Sequence, residues 1–300
     1  MSGVVVFGSL NMDLAIESDR MPQKGETIPG RDFIVNPGGK GANQAVAAAK
    51  AGVPTRMIGA VGEDLFGDRL LAELAGYGVD CAGVARAAGV ETGVAVILRS
   101  GGDNRIVLSA GANGAIAPGD AEAALERLAA PGDVFVTQME CDAAATEAAI
   151  RRARALGLYV MVNVAPPREL PRELWSCVDL VCVNETECAA VTGVLPEGED
   201  DLPRALEALC ALGPAAAVIT LGERGSVALA DGVVTRVAAV PVKAVDTTAA
   251  GDTYLGYLAA ARVRGASLPE AMRTAARAAA LTATRVGAQQ AIPTAEELGL

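Results

Sequence analysis

Short β-branched runs alternate along this chain with alanine-rich segments of helical period, and that alternation limits the possible folds more than any other feature. The stretches "VVVF" (4–7), "RMIGAV" (56–61), "DVFVT" (133–137), "YVMVN" (159–163), "DLVCV" (179–183) and "AAVIT" (216–220) read as strands. Residues 40–51, 65–76, 119–129, 143–156, 185–192 and 202–212 between them read as helices. The strands are apolar throughout and do not alternate with polar residues, the pattern of a sheet covered on both faces. The expected fold is therefore α/β, a three-layer sandwich with a mostly parallel central sheet flanked by helices. Two further β-like runs, 226–230 and 233–240, precede two helical stretches at 250–264 and 268–284.

Two regions break the rhythm. Residues 93–109, "GVAVILRSGGDNRIVLS", read as two strands around a Gly-Gly-Asp-Asn turn, and residues 12–36, with Pro22, Gly25, Pro29 and Gly30, lack helical period. They suggest a small β appendage, either a lid over a cleft or an inert surface hairpin. Neither repeat nor low-complexity linker divides the chain, so residues 1–300 are expected to form one α/β domain.

Composition removes several function classes. A net charge of −11 disfavours nucleic acid and anionic membranes as partners, because both require clustered cations. With no histidine, Ser-His-Asp and Cys-His nucleophile systems are impossible, and acid–base work falls to carboxylates, Lys, Tyr or Cys. Six cysteines without a CxxC pair read as buried reduced thiols more readily than as a metal site. "MSGVVVFGSL" has no basic n-region, and no segment reaches the roughly 20 apolar residues of a membrane span, so a cytoplasmic protein is expected.

The strongest chemical signal is "DTTAAGDTYLGYLAAA" (246–261), where two acids bracket small residues at a helix start. The amides of Ala249, Ala250 and Gly251 there would form an anion-binding helix end, with Asp252 in the first turn. The helix dipole is expected to keep Asp252 ionised and hence a weak base, which phosphoryl transfer tolerates. Asp246 would serve something else, such as a cation.

Four other stretches are individually weak. "NPGGKGANQAVAAAKAG" (36–52) puts Lys40 and Asn43 near a helix start without being a Walker A motif, and taken alone it reads more readily as a turn and helix with a solvated lysine. "GSLNMD" (8–13) sets Asn11 and Asp13 past the first strand, either beside a ligand or in a turn. "NETE" (184–187) reads as an N-cap with Glu187 completing a capping box, or as a contact to Mg²⁺ and phosphate. "TLGERG" (220–225) is a strand end with two glycines, most simply a turn.

In this order and spacing the five stretches resemble the ribokinase family of sugar kinases, from about residue 3 to residue 294. The resemblance implies an α/β sandwich with a β-sheet lid and transfer of the ATP γ-phosphoryl to a sugar hydroxyl with Mg²⁺, here the 5-hydroxyl of D-ribose. It implies that Asp252 is the base, and that Ala249, Ala250 and Gly251 form the anion hole. Asn11, Asp13, Gly39, Lys40, Asn43 and Glu140 would bind ribose, and Asn184, Glu187, Thr220, Gly222 and Gly225 the nucleotide. Asp246, Thr248, Arg285 and Gly287 would hold a monovalent cation, usually potassium, although Ala291 stands where the family commonly has a serine and Ala276 where it can have a histidine. A homodimer through the lid is also implied. The alternatives are a relative acting on deoxyribose, fructose or a nucleoside, a catalytically silent sugar-binding regulator, and a glycosidase for a nucleoside-like substrate.

Overall fold

The computed structural model describes residues 2–101 and 103–300. The first half runs β1 (Val4–Phe7), β2 (Asn11–Glu17), β3 (Arg31–Gly38), α1 (Lys40–Lys50), β4 (Thr55–Gly62), α2 (Leu65–Gly76), β5 (Val79–Ala87), β6 (Gly93–Ser100), β7 (Asp103–Ser109), α3 (Pro118–Leu128), β8 (Val134–Thr137) and α4 (Ala143–Ala155). The second half runs β9 (Tyr159–Asn163), β10 (Leu180–Asn184), α5 (Glu185–Thr192), α6 (Leu202–Ala211), β11 (Ala216–Thr220), β12 (Ser226–Ala230), β13 (Val233–Val237), α7 (Ala250–Val263) and α8 (Leu268–Ala283).

Nine strands form one sheet in the order β13, β12, β11, β10, β9, β8, β1, β4, β5. It is parallel from β5 to β11, with β12 and β13 adding an antiparallel edge. The period of two divides its side chains between two cores. Val4 and Val6 join the core under α1, α7 and α8, whereas Val5 and Phe7 join that under α3, α4 and α6. The three-layer α/β sandwich expected from the sequence is the observed architecture.

One strand escaped the sequence reading. β5 lies at the sheet edge and its sequence, "VDCAGVARA", is half exposed and carries no continuous apolar run. Gly83 lets it cross close over β4 and α3, because a Cβ there would lie 2.6 Å from the Met57 carbonyl and 2.7 Å from Leu128. The run expected at 233–240 ends as a strand at Val237.

The segments that broke the helical rhythm form a second sheet in the order β3, β2, β6, β7. Within the expected Gly-Gly-Asp-Asn turn, Gly102 lies outside the described residues. Register lines up Asn36, Asp13, Ala95 and Leu108 across the four strands, and two residues along, Ile34, Ala15, Ile97 and Ile106. Both rungs face the space over the carboxyl ends of the large sheet.

Candidate active site

In a parallel sheet every strand delivers its next residues to one edge, which is where open α/β sheets bind ligands. β1 delivers Ser9 and Asn11, β8 delivers Gln138 and Glu140, and β9, β10 and β11 end on Asn163, Asn184 and Thr220. The small sheet roofs this edge over a cleft of about 680 Å³. Its lining brings together Asn11, Asp13, Gly39, Lys40, Asn43, Glu140 and Asp252 with Asp246, Thr248, Ala249 and Gly287. Asn184, Glu187, Thr220, Gly222, Gly225, Ala250, Gly251 and Arg285 are outside that lining.

The polar floor is tightly built. Asn113 receives the Leu10 amide at 2.9 Å and donates to Asn11 Oδ1 at 2.8 Å, which fixes the Asn11 carboxamide. Glu140 accepts the Ser9 hydroxyl at 2.5 Å and the Lys40 amide at 3.2 Å. Glycines make these approaches possible. A Cβ on Gly38 would lie 2.2 Å from an Asp13 carboxylate oxygen, and one on Gly93 would lie 2.3 Å from both Asn11 and Asn113. Gly39, at φ 90°, turns the chain from β3 into α1 against the backbone of Ser9 and Asn11.

Three carboxylates around one ammonium set the electrostatics. Burial pushes the Asp13 carboxyl up to about 7, and the nearby Glu140 and Asp252 charges add to the effect. Burial likewise raises Glu140, against the opposing pull of Lys40 and its hydrogen bonds. Burial alone would lower Lys40, but Asp252, Glu140 and Glu187 leave it above the ordinary lysine value, so it remains charged.

α7 begins where the sequence placed it. Ala249 is its N-cap in a left-handed conformation (φ 59°) that few non-glycine residues adopt. The amide of Ala250 already donates to the Thr247 carbonyl at 3.2 Å, which corrects the expectation that three consecutive amides stand free. The Gly251 and Asp252 amides have no hydrogen-bond partner among the described residues. Asp252 Oδ2 accepts from Asn43 at 2.9 Å and Oδ1 from Gln44 at 3.0 Å. A second correction concerns its charge. Burial raises the Asp252 carboxyl above the ordinary value, with Lys40, Asn43 and Gln44 pulling the other way, so the expected dominance of the helix dipole fails. A better base results.

Asp246 shows the reverse balance. Burial alone would raise it, but the Thr248 hydroxyl, amide hydrogen bonds from Gly287 (3.0 Å) and Thr248 (2.9 Å) and the charge of Arg99 leave it below the usual carboxylate range. These bonds tie the 246–248 turn to the loop after α8. The carbonyls of Thr248, Arg285 and Gly287 accept no hydrogen bond among the described residues. An ionised carboxylate beside unengaged carbonyls fits a hard cation. Ala291 is buried nearby in sequence and adds no side-chain oxygen.

At the start of α5, Asn184 and Glu187 form a reciprocal capping box, with bonds of 2.8 and 2.9 Å. The capping reading of "NETE" is therefore correct, and one Glu187 oxygen carries no hydrogen bond among the described residues. Asn184 and Thr220 are paired neighbours at the ends of β10 and β11. Gly225, at φ 92°, must be glycine, since a Cβ would meet the Val237 carbonyl at 2.1 Å. No group of three or more His, Cys, Asp or Glu residues that could hold a metal ion occurs among the described residues. A lone carboxylate suits an Mg²⁺ shared with phosphate oxygens better than one caged by protein.

Ser9, Gln44, Asn113, Gln138 and Asn163 belong to this polar floor and were not foreseen from the sequence. Their signal was position alone, just past strand ends or within the first turns of α1. No helix is long and apolar enough to cross a membrane among the described residues.

The family model of the pfkB family of carbohydrate kinases matches residues 1–295. A ribokinase of Bacillus subtilis is 36% identical over 298 residues, covering 99% of this chain and 98% of its own. A deoxyribokinase of Salmonella typhi is 33% identical over 296 residues, covering 98% and 96%. The structure of Arabidopsis thaliana ribokinase complexed with ribose and ATP superposes with a TM-score of 0.91 at 32% identity, covering 99% of this chain and 98% of that one. With its motifs, its roofed cleft and these relatives in agreement, the chain belongs to the pfkB family of carbohydrate kinases.

Proposed function

We propose that this sugar kinase transfers the γ-phosphoryl group of ATP to the 5-hydroxyl of D-ribose, giving ribose 5-phosphate and ADP. The observation that carries the reading is the placement of Asp252 at the start of α7, in one cleft with Asn11, Asp13, Lys40, Asn43 and Glu140. Those side chains match a polyhydroxylated acceptor, because each buried polar group gains a hydroxyl partner and penalises a sugar that lacks one.

In the proposed step Asp252 takes the hydroxyl proton as the sugar oxygen bonds to the γ-phosphorus and the bond to the ADP oxygen breaks. The amides of Ala249, Gly251 and Asp252, with Ala250 turned aside, face charge developing on the phosphoryl oxygens. Thr220, Gly222 and Gly225 would hold the nucleotide, and Asn184 and Glu187 would serve the phosphates and Mg²⁺. Mg²⁺, when bound, neutralises phosphate charge. Asp246 and the carbonyls of Thr248, Arg285 and Gly287 would hold potassium, whose charge would support the neighbouring anion-binding amides.

The whole of residues 1–300 acts as one catalytic unit, with the β3-β2-β6-β7 sheet as its lid, in the cytoplasm. A homodimer through the lid is part of the proposal, supported by exposed apolar surface at Phe33, Val96 and Val107, the last two directly paired. Deoxyribose is the second reading, favoured by the deoxyribokinase relative. ATP-dependent turnover on ribose, deoxyribose, fructose and adenosine decides. Ribose preferred by kcat/KM supports the proposal, and preference for any other acceptor replaces it.

A further inference from the structure

Gln44 is 1% exposed and outside the cleft lining, yet it donates to Asp252 Oδ1 at 3.0 Å. The other hydrogen of the same amide reaches Asn163 Oδ1 at 3.3 Å, and its carbonyl accepts Gln138 Nε2 at 2.7 Å. Asn163 is in turn tied to the Cys182 carbonyl at 3.0 Å. Residues following β8 and on β9 thus converge on the Gln44 carboxamide, with β10 behind Asn163, and Gln44 carries the network to Asp252 Oδ1.

The carboxylate fixes the polarity of this chain. An ionised Asp252 accepts only, so Gln44 must present its N–H₂, its carbonyl must face Gln138, and Gln138 must donate. Gln138 Oε1 is left buried without a partner, against the Gly8 backbone. Such an orphan costs stability, and an apolar residue would fill the place without it.

We propose that Gln44 and Gln138 are positioning residues: an amide relay that grips Asp252 Oδ1 throughout the reaction and leaves Oδ2 to take the acceptor's proton. Asn43 holds Oδ2 in the free protein, and its own Oδ1 is buried and unpartnered. Asn43 lines the cleft and can exchange Asp252 for a sugar hydroxyl, whereas Gln44 cannot reach the sugar. One oxygen is therefore clamped and the other released when the acceptor binds.

This inference rests on Asp252 being the base, and the test separates the two. The experiment measures kcat, KM for ribose and ATP, and the kcat–pH profile for Gln44→Leu, Gln138→Leu, Gln138→Glu and Asp252→Asn, with folding checked by thermal melting. Gln44→Leu is expected to lower kcat about 10- to 100-fold with both KM values within about twofold. Its acid limb moves to higher pH, because a donor that favours the carboxylate is gone. Gln138→Glu offers Gln44 an acceptor in place of a donor only once the buried carboxyl ionises, so its kcat falls below that of Gln138→Leu as pH rises and the Gln44 amide turns over. Because it is isosteric, it carries the test if Gln44→Leu does not fold. Folded Gln44→Leu and Gln138→Glu with parental kcat and an unmoved acid limb overturn the relay while an inactive Asp252→Asn leaves the base standing. An active Asp252→Asn overturns both.

Discussion

The Asn43 carboxamide donates to the Asp252 carboxylate at 2.9 Å across 209 residues of sequence. The side chain proposed to hold the sugar and the one proposed to take its proton therefore form one hydrogen-bonded unit in the free protein. The contact comes from the packing of α1 on α7, and on the proposed roles sugar binding and base release would be the same rearrangement.

Asp252→Asn keeps the shape of this unit and removes its basicity. Turnover is expected to fall roughly a hundred- to ten-thousandfold, the range for a lost general base, while ribose binding by calorimetry stays within a few-fold. Undiminished turnover would remove Asp252 from the chemistry.

Asp13 supplies a pH dependence with a definite sign. Its carboxyl is raised to about 7 in the folded protein, so the folded state binds a proton that the unfolded chain releases near its ordinary value. The stability this proton confers is present at low pH, falls as pH rises through that window and is flat above about 7. On the proposed role of Asp13, sugar binding runs the other way, since only the ionised carboxylate accepts from two hydroxyls. KM for ribose is expected to drop as pH rises through about 7, and Asp13→Asn should flatten that limb. An unchanged KM profile in Asp13→Asn would show that another group titrates.

Much of this was legible in the sequence, and the exceptions have physical causes. Helix and sheet periods revealed the sandwich because each buried face repeats along a continuous segment. β5 lacked that signature because an edge strand is wet on one side. Gln44 stood in plain view inside "GGKGANQA", but a glutamine in an alanine-rich helix is ordinarily solvated. Only its partners, 94 to 208 residues away, show that it is buried. The helix-dipole argument for Asp252 used a local effect correctly and missed the burial that outweighs it.

Asp246 ties the turn before α7 to the loop after α8 through Thr248 and Gly287. Kcat is expected to be several-fold higher in potassium than in sodium, since a cation seated at the proposed site would hold both the turn and the proposed anion-binding amides. Asp246→Ala should lower kcat and abolish the difference between the two salts. A variant that keeps the potassium preference would move the cation site elsewhere.

Gly256 sets how closely α7 approaches α1. A Cβ there would lie 2.4 Å from the Ala47 Cβ and 2.6 Å from the Gln44 carbonyl oxygen, with the Ala48 amide nitrogen at 3.0 Å. Backbone atoms of α1 cannot rotate away, so Gly256→Ala must part the helices, and overpacking of this kind costs about 1–3 kcal/mol. The same separation stretches the Asn43 and Gln44 hydrogen bonds to Asp252, one turn earlier on α7. Gly256→Ala should therefore lower the melting temperature and, below it, lower kcat while KM for ATP stays within about twofold, because the expected nucleotide loop lies on β11 and β12. Equal losses in both KM values with an intact kcat would mean that the helix contact shapes the cleft and not the carboxylate. An Ala48→Gly change would relieve none of this, since the obstruction at that residue is its backbone nitrogen. Ala47→Gly removes the Cβ that stands at 2.4 Å, so in the Gly256→Ala background it should restore part of both stability and kcat.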